Sequence, residues 1–188
     1  MTPNLICATL LELRYTMNIC VIGASGKLGK SLMKLPDTVS CDVRFEHSHD
    51  FDKWFKEHPT IDTVWHVARA CRKTGVRRDA NTFILEFKAM QDLLKTRAKD
   101  CRLVYASTKT VYGITSEMTP LSADNVANYF TSPVEGVMNC PDWKPNKEEN
   151  FEGLSAQHLV YAMTKLSCER LIKEKCRNYK ILRIWDII

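Results

Sequence analysis

A tyrosine and a lysine stand four residues apart in the stretch Tyr161-Ala-Met-Thr-Lys165, near the end of the chain. If this stretch is helical, the phenol and the ammonium lie on one face, one turn apart. A free tyrosine, with a pKa of about 10, is a poor base at neutral pH, but a nearby cation lowers that pKa. Such a tyrosine can exchange a proton with a sugar or alcohol hydroxyl while a hydride moves to or from a nicotinamide ring. The same spacing also arises by chance, usually with a half-buried tyrosine and a solvated lysine.

Hydroxyl side chains follow a predicted strand, in the stretch Ala106-Ser107-Thr108-Lys-Thr-Val-Tyr112-Gly. Open α/β sheets bind their ligands at the carboxyl ends of parallel strands. The hydroxyls of Ser107 and Thr108 can therefore hold a substrate hydroxyl beside the tyrosine. The alternative is a Ser/Thr turn that caps the next segment.

Three glycines at intervals of three residues, Gly23, Gly26 and Gly29, join an apolar run of strand length to a segment with helical spacing. A strand that turns into a helix leaves the first backbone N–H groups of the helix unpaired, and an anion such as a pyrophosphate can bind there. In this interpretation Gly23 permits the tight turn, Gly26 lets phosphates approach the backbone and Gly29 lets the helix pack closely on the sheet. Glycine-rich turns also serve merely as turns, so this motif alone leaves cofactor binding open.

Alternating strands and helices surround these motifs. Apolar periodicity predicts strands over residues 17–22, 39–46, 61–68, 102–106 and 180–184, and helices over 28–35, 50–58, 79–98 and 155–176. This order favours a parallel sheet with helices on both faces. Residues 114–153 contain four prolines and little periodicity, which predicts a long loop. Residues 1–16 are predicted to be an extension of marginal structure.

Composition predicts one globular domain over residues 17–188. The chain is 45% hydrophobic and 26% charged, which is ordinary for a soluble fold. No apolar run approaches the roughly 20 residues of a membrane span, so no membrane partner is expected. The eight cysteines include no C-x-x-C pair, which is typical of a reduced, cytoplasmic protein.

Charge and histidine patterns give no further site. The net charge of +5 includes one dense basic patch, which is interpreted as a solvated loop and has no nucleic-acid motif beside it; its members are Arg69, Arg72, Lys73, Arg77 and Arg78. His47 and His49 stand beside Asp50 and Asp52, but no Cys or His pair elsewhere completes a metal site. We therefore expect neither a bound metal nor a nucleic-acid partner.

Taken together, three ordered motifs resemble the extended short-chain dehydrogenase/reductase superfamily: the glycine turn, Ser-Thr-x-x-Val-Tyr-Gly after a later strand, and Tyr-x-x-x-Lys beyond a loop. The resemblance is to its NAD-dependent epimerase/dehydratase family, especially to dTDP-4-dehydrorhamnose reductase-like members, and spans about residues 17–185. It implies a Rossmann-like doubly wound parallel sheet that binds NAD or NADP. It further implies an epimerase, dehydratase or reductase acting on a nucleotide sugar, and a homodimer formed through helices that flank the sheet. Family members continue into a substrate-binding lobe that this chain largely lacks, so a non-catalytic NAD(P)-binding or sensing module is the alternative.

The resemblance also implies roles for individual residues. Tyr161 would be the acid/base, Lys165 would hold the nicotinamide ribose, and Thr108 would hold the substrate hydroxyl. Asp50 and Phe51 would contact the adenine. The full set implied to contact the cofactor is Gly23, Ser25, Gly26, Lys27, Leu28, Gly29, Asp50, Phe51, Ala68, Arg69, Asn81, Ser107, Tyr161 and Lys165.

Two departures from the family pattern concern the cofactor. Arg69 stands where the family usually keeps a small residue. No clear acidic partner for the ribose 2′-hydroxyl can be chosen among Asp42, Glu46 and their neighbour Arg44, so the choice between NAD and NADP stays open.

Overall fold

The structure is a computed structural model of the chain, and it describes residues 17–69, 80–112, 123–132, 135–139, 151 and 153–184. Its strands form one parallel sheet in the order β2-β1-β3-β4-β6-β5. These strands are β1 (Ile19–Ile22), β2 (Thr38–Cys41), β3 (Thr63–His66), β4 (Arg102–Thr108), β5 (Gly136–Asn139) and β6 (Tyr179–Ile184). The helices are α1 (Lys27–Leu32), α2 (Phe51–Glu57), α3 (Ala80–Leu93), α4 (Ala123–Thr131) and α5 (Ala156–Lys175).

Helices cover both faces of the sheet, so the predicted doubly wound α/β architecture is confirmed. Cys20 and Ile22 of β1 face the layer formed by α2, α3 and α5, whereas Ile19 and Val21 face α1 and α4. Because β1 is buried on both sides, it has to be apolar throughout, which explains its continuous hydrophobic run.

The strand order reverses between β1 and β3. The chain leaves β1 for β2 at one edge, then returns to place β3 on the other side of β1. The backbone N–H of Val67, just after β3, donates to the carbonyl of Ile22 at 2.9 Å. The carboxyl ends of β1 and β3 therefore border the crevice in which sheets of this topology bind ligands.

The prediction of a long loop over residues 114–153 is wrong for the described part of this range, which contains α4 and β5. Val126 and Phe130 stand four residues apart on α4 and pack beneath the sheet, although prolines on both sides hide this pattern in the sequence. Strand β5 pairs with β6 in parallel and lies at the edge of the sheet. Neither element could stand alone, because each depends on the neighbours that it packs against or pairs with.

Two other predicted elements end well before their predicted ends. The strand predicted over 39–46 ends at Cys41, and a 3₁₀ turn over Phe45–Asp50 follows. The helix predicted over 79–98 ends at Leu93, since the hydroxyl of Thr96 accepts from the N–H of Ala98 and starts a 3₁₀ turn. The predicted extension over residues 1–16 and most of the basic patch lie outside the described residues. In the part of the chain that the structure describes, no helix combines the length and apolarity needed to cross a membrane.

Candidate active site

The glycine turn after β1 is shaped by two of its three glycines. Gly23 has a φ of +100°, and a Cβ there would lie 2.7 Å from the backbone nitrogen of Ala68. A Cβ on Gly29 would lie 2.7 Å from the Cα of Ala24 and still closer to the carbonyl oxygen of Gly23. Real Cβ atoms do not tolerate such distances to backbone atoms, so the turn itself requires glycine at both positions.

Gly26 differs from its two neighbours in the motif. Its φ of −72° and ψ of 170° are open to any residue, and a Cβ would meet only the Gly23 oxygen at an ordinary 3.5 Å. The protein does not need glycine at this exposed position. The space that a side chain would fill lies beside the first backbone N–H groups of α1, which is what a pyrophosphate requires. The glycine turn therefore fits a dinucleotide.

The other positions implied to contact the dinucleotide lie on the same side of the sheet, where the strands end. Ser25 and Lys27 are exposed in the glycine turn, and Asn81 is exposed in the first turn of α3. Ala68 and exposed Arg69 lie shortly after β3, and exposed Asp50 immediately precedes α2. The side chains of Leu28 and Phe51 pack in the core, so these two residues could contact a cofactor only through their backbone.

Tyr161 and Lys165 lie on α5, whose N-terminus is capped by the hydroxyl of Ser155. The Lys165 ammonium lies 5.9 Å from the centroid of the partly buried Tyr161 ring and donates to the carbonyl of Ala68 at 3.5 Å. Ala68 is also the residue against which Gly23 packs. One residue thus connects the predicted acid/base pair with the glycine turn, although the two motifs are far apart in the sequence.

Thr108 is the last residue of β4 and is buried. Its hydroxyl lies 2.9 Å from that of Thr110 and accepts from the Thr110 N–H at 3.2 Å, so the Ser/Thr turn considered as the alternative is present. The 3₁₀ turn that follows packs against α5 through Val111 and Ala162, and Ala162 is the immediate neighbour of Tyr161. This packing holds the segment after β4 against the helix that carries Tyr161.

The family model described as the NAD dependent epimerase/dehydratase family matches residues 19–185. The chain belongs to this family. A search of curated proteins found no match.

Solved structures show the same fold at low sequence identity. The dTDP-4-dehydrorhamnose reductase of Yersinia enterocolitica is 18% identical, with a TM-score of 0.58 over 90% of this chain and 52% of that chain. The corresponding reductase of Bacillus anthracis, in complex with NADP, is 20% identical, with a TM-score of 0.55 over 89% of this chain and 52% of that chain. UDP-glucose 4-epimerase of Brucella ovis, in complex with NAD, is 16% identical, with a TM-score of 0.57 over 89% of this chain and 51% of that chain. The chain therefore spans about half the length of these structures.

A buried ionic network supports the site of this family member, and sequence reasoning missed it. Arg183 on β6 donates to both carboxylate oxygens of Glu169 on α5, at 3.0 and 2.7 Å, and to the phenol of Tyr112 at 2.6 Å. Burial lowers the pKa of Arg183, but the Glu169 carboxylate, and to a smaller extent Tyr112, raise that pKa above its ordinary value overall. The four-residue spacing from Lys165 to Glu169 was the sequence signal that could have pointed to Glu169, because residues four apart on a helix lie on one face.

Ser107 also belongs to this network, since its hydroxyl donates to Glu169. The proton of that hydroxyl points at α5, so the cofactor contact predicted for Ser107 would have to use its oxygen or its backbone. The network fixes the ends of β4 and β6 against the helix that carries Tyr161. It therefore positions the predicted catalytic groups relative to one another.

His66 and Tyr105 line the buried side of the site and were also missed. His66 is buried, and its ring stacks on Phe45 with centroids 5.8 Å apart. Burial first, and the charge of Lys165 second, lower the pKa of His66 to about 3, so the imidazole is neutral at physiological pH. Burial raises the pKa of Tyr105, which therefore stays a neutral phenol. Among the described residues, no three His, Cys, Asp or Glu side chains gather as metal ligands.

Proposed function

We propose that this member of the epimerase/dehydratase family binds NAD or NADP in the crevice at the carboxyl ends of β1 and β3. We further propose that it acts on a nucleotide sugar as an epimerase, dehydratase or reductase. One observation carries the proposal: the Lys165 ammonium lies 5.9 Å from the centroid of the Tyr161 ring and donates to the carbonyl of Ala68, whose N, Cα and Cβ atoms lie against Gly23 of the glycine turn. The proton-transfer pair and the candidate pyrophosphate site therefore border the same crevice.

Each group in this arrangement has a defined task. When bound, the nicotinamide supplies the hydride acceptor or donor. Thr108 holds a hydroxyl of the sugar, and the Tyr161 oxygen takes the proton from that hydroxyl or returns it. The Lys165 ammonium stabilises the negative charge that develops on the tyrosine oxygen and holds the nicotinamide ribose.

We infer that Asp42 favours NAD over NADP. Asp42 is the first residue after β2, and Cys41 before it pairs with Ile22 at the end of β1, so Asp42 lies beside the glycine turn. A carboxylate there accepts a hydrogen bond from the ribose 2′-hydroxyl and repels a 2′-phosphate. Arg44, two residues further on, is the group that would favour NADP in its place.

Calorimetric titration of the purified chain with NADH and NADPH tests the cofactor site. We expect NADH to bind more tightly, and Asp42→Ser to remove most of that preference because the carboxylate is lost. Equal affinities for the wild-type chain would contradict the role of Asp42. Binding of neither cofactor to the folded chain would contradict the proposed function.

The test of catalysis is Tyr161→Phe, which removes one hydroxyl group. With nucleotide sugars as substrates, we expect turnover to be lost while NADH affinity stays within about twofold, because the phenol moves a proton but adds little to cofactor binding. Tyr179→Phe on β6 is the matched control, since this tyrosine stands at the opposite end of the sheet and should keep full turnover. A Tyr161→Phe variant as active as the control would contradict the assignment of Tyr161 as the acid/base.

A non-catalytic NAD(P)-sensing module that associates through exposed apolar side chains is the second candidate. Ile84 on α3 and Met163 on α5 are 58% and 47% exposed on neighbouring helices, which suits a homodimer. Size measurement with and without NADH separates the candidates. A sensor should change its state of association on binding, whereas an enzyme dimer should keep it.

A further inference from the structure

A buried carboxylate and a buried ammonium meet behind the crevice. The Glu86 Oε2 atom on α3 lies 3.8 Å from the Nζ atom of Lys165 on α5, and the two side chains are only 5% and 4% exposed. Glu86 belongs to none of the three sequence motifs. Burying a carboxylate in a helix face costs free energy unless the charge has a partner, so its presence there needs a reason.

We propose that Glu86 is a positioning residue that holds the Lys165 ammonium at the crevice for the nicotinamide ribose. The inference rests on the proposed function, because it assumes that Lys165 contacts the cofactor. It adds a residue that acts on the cofactor only through Lys165.

The surroundings of Lys165 show what Glu86 contributes. A lysine ammonium has three donors on a flexible stem of four carbons. Two oxygen partners, the Ala68 carbonyl at 3.5 Å and the Glu86 carboxylate at 3.8 Å, hold it from the protein side. The rings of Tyr105 and Tyr161 lie 4.9 and 5.9 Å from it. With these partners fixed, a remaining donor can serve a ribose hydroxyl without reorganisation.

Charge balance supports the same role. The neighbouring His66 is neutral at physiological pH, since burial and the charge of Lys165 lower its pKa to about 3. Within the described part of the chain, the carboxylate that forms an ion pair with Lys165 is that of Glu86. Removing this charge would take away the carboxylate partner of the buried ammonium, and its flexible side chain could then turn away from the crevice.

A comparison of two ligands separates this role from a general structural one. NADH carries the nicotinamide ribose, whereas ADP contains only the part that binds the glycine turn and the adenine pocket. We expect Glu86→Gln to weaken NADH binding roughly tenfold, as the loss of a charged contact typically does. ADP binding should stay within about twofold. If the chain prefers NADPH, then NADPH and 2′-phospho-ADP replace this pair.

Three further variants complete the calorimetric titration. Glu86→Asp keeps the charge with a shorter reach and should lose only about threefold in NADH affinity. Asp92→Asn removes another carboxylate of α3, one that pairs with Lys88 and Lys95 at the surface, and should change neither affinity. In a Lys165→Met background, Glu86→Gln should have less than a twofold further effect on NADH binding, because Glu86 acts through the lysine.

Several outcomes would overturn the inference. Unchanged NADH affinity in Glu86→Gln would do so, and so would equal losses for NADH and ADP, which would indicate a distorted helix. If Glu86→Gln does not fold, Glu86→Asp decides: a loss for NADH alone supports the role, and any other pattern contradicts it. A folded wild-type chain that binds neither dinucleotide overturns the proposed function itself, which distinguishes the two failures.

Discussion

The glycine turn allows a test in which folding and cofactor binding respond to different residues. Gly26→Ala adds a methyl group where the chain itself leaves room, 3.5 Å from the Gly23 carbonyl oxygen. Gly29→Ala adds the same methyl group 2.7 Å from the Cα of Ala24, where it cannot fit. The two substitutions are chemically identical and lie three residues apart.

The expected changes in stability follow from these distances. Alanine at a compatible φ stabilises a protein by about 0.4–1 kcal/mol through the unfolded chain. Gly26 is also the N-cap of α1, where alanine is worse than glycine by a similar amount, so Gly26→Ala should change the free energy of unfolding by less than about 1 kcal/mol. Gly29→Ala should cost about 3 kcal/mol, because backbone atoms must move to admit the methyl group. For a domain of this size, that loss lowers the unfolding midpoint by roughly 6–12 °C.

Thermal unfolding followed by circular dichroism, with calorimetric titration of NADH, measures both effects. Gly26→Ala should keep the wild-type midpoint within about 3 °C yet weaken NADH binding at least tenfold, since the methyl group occupies the path of the phosphates. Gly29→Ala should lower the midpoint. Wild-type NADH affinity in Gly26→Ala would refute the placement of the pyrophosphate, and an equal loss of stability in both variants would refute our interpretation of the turn.

Two further predictions concern buried charge. Glu169→Leu leaves Arg183 buried without its counter-ion and should cost about 3–5 kcal/mol in urea unfolding, whereas adding Arg183→Met should restore most of that loss; a double variant no more stable than Glu169→Leu would contradict the pairing. The folded-state pKa of His66, about 3, lies below its ordinary 6.5, so the unfolded chain binds the proton more readily and stability falls as the pH drops below about 6.5. Between pH 7 and pH 5 this amounts to about 2 kcal/mol, which His66→Gln should remove from the pH dependence of urea unfolding; an unchanged dependence would show that His66 is not buried as a neutral ring.

The parts of the site that could be predicted from the sequence are those that local geometry determines. Tyr161 and Lys165 share a helix face because four residues make about one helical turn, so their proximity needs no tertiary information. The glycine spacing likewise specifies a strand, a tight turn and a helix within one short segment. The family match and the observed sheet agree with these local patterns.

The parts that could not be predicted depend on contacts between distant segments. Glu86 and Lys165 are 79 positions apart in the sequence, and only the packing of α3 against α5 makes them partners. Glu86 alone reads as one more solvated charge on an amphipathic helix. The prediction of a long loop over residues 114–153 failed in its described part for the same reason, because β5 becomes a strand by pairing with β6.

Helix α5 shows why support and chemistry are difficult to separate in this fold. Tyr161, Lys165 and Glu169 follow one another at intervals of four, so one face of the helix carries the proposed acid/base, its cation and the anchor for β6. Since Ser107 donates to Glu169 and directly precedes Thr108, the same anchor also sets the position of Thr108, the proposed partner of the substrate hydroxyl. A change at Glu169 must therefore move both sides of the proposed proton transfer together. The buried charges on this face reduce its hydrophobic character, and their benefit is the fixed geometry that proton and hydride transfer require.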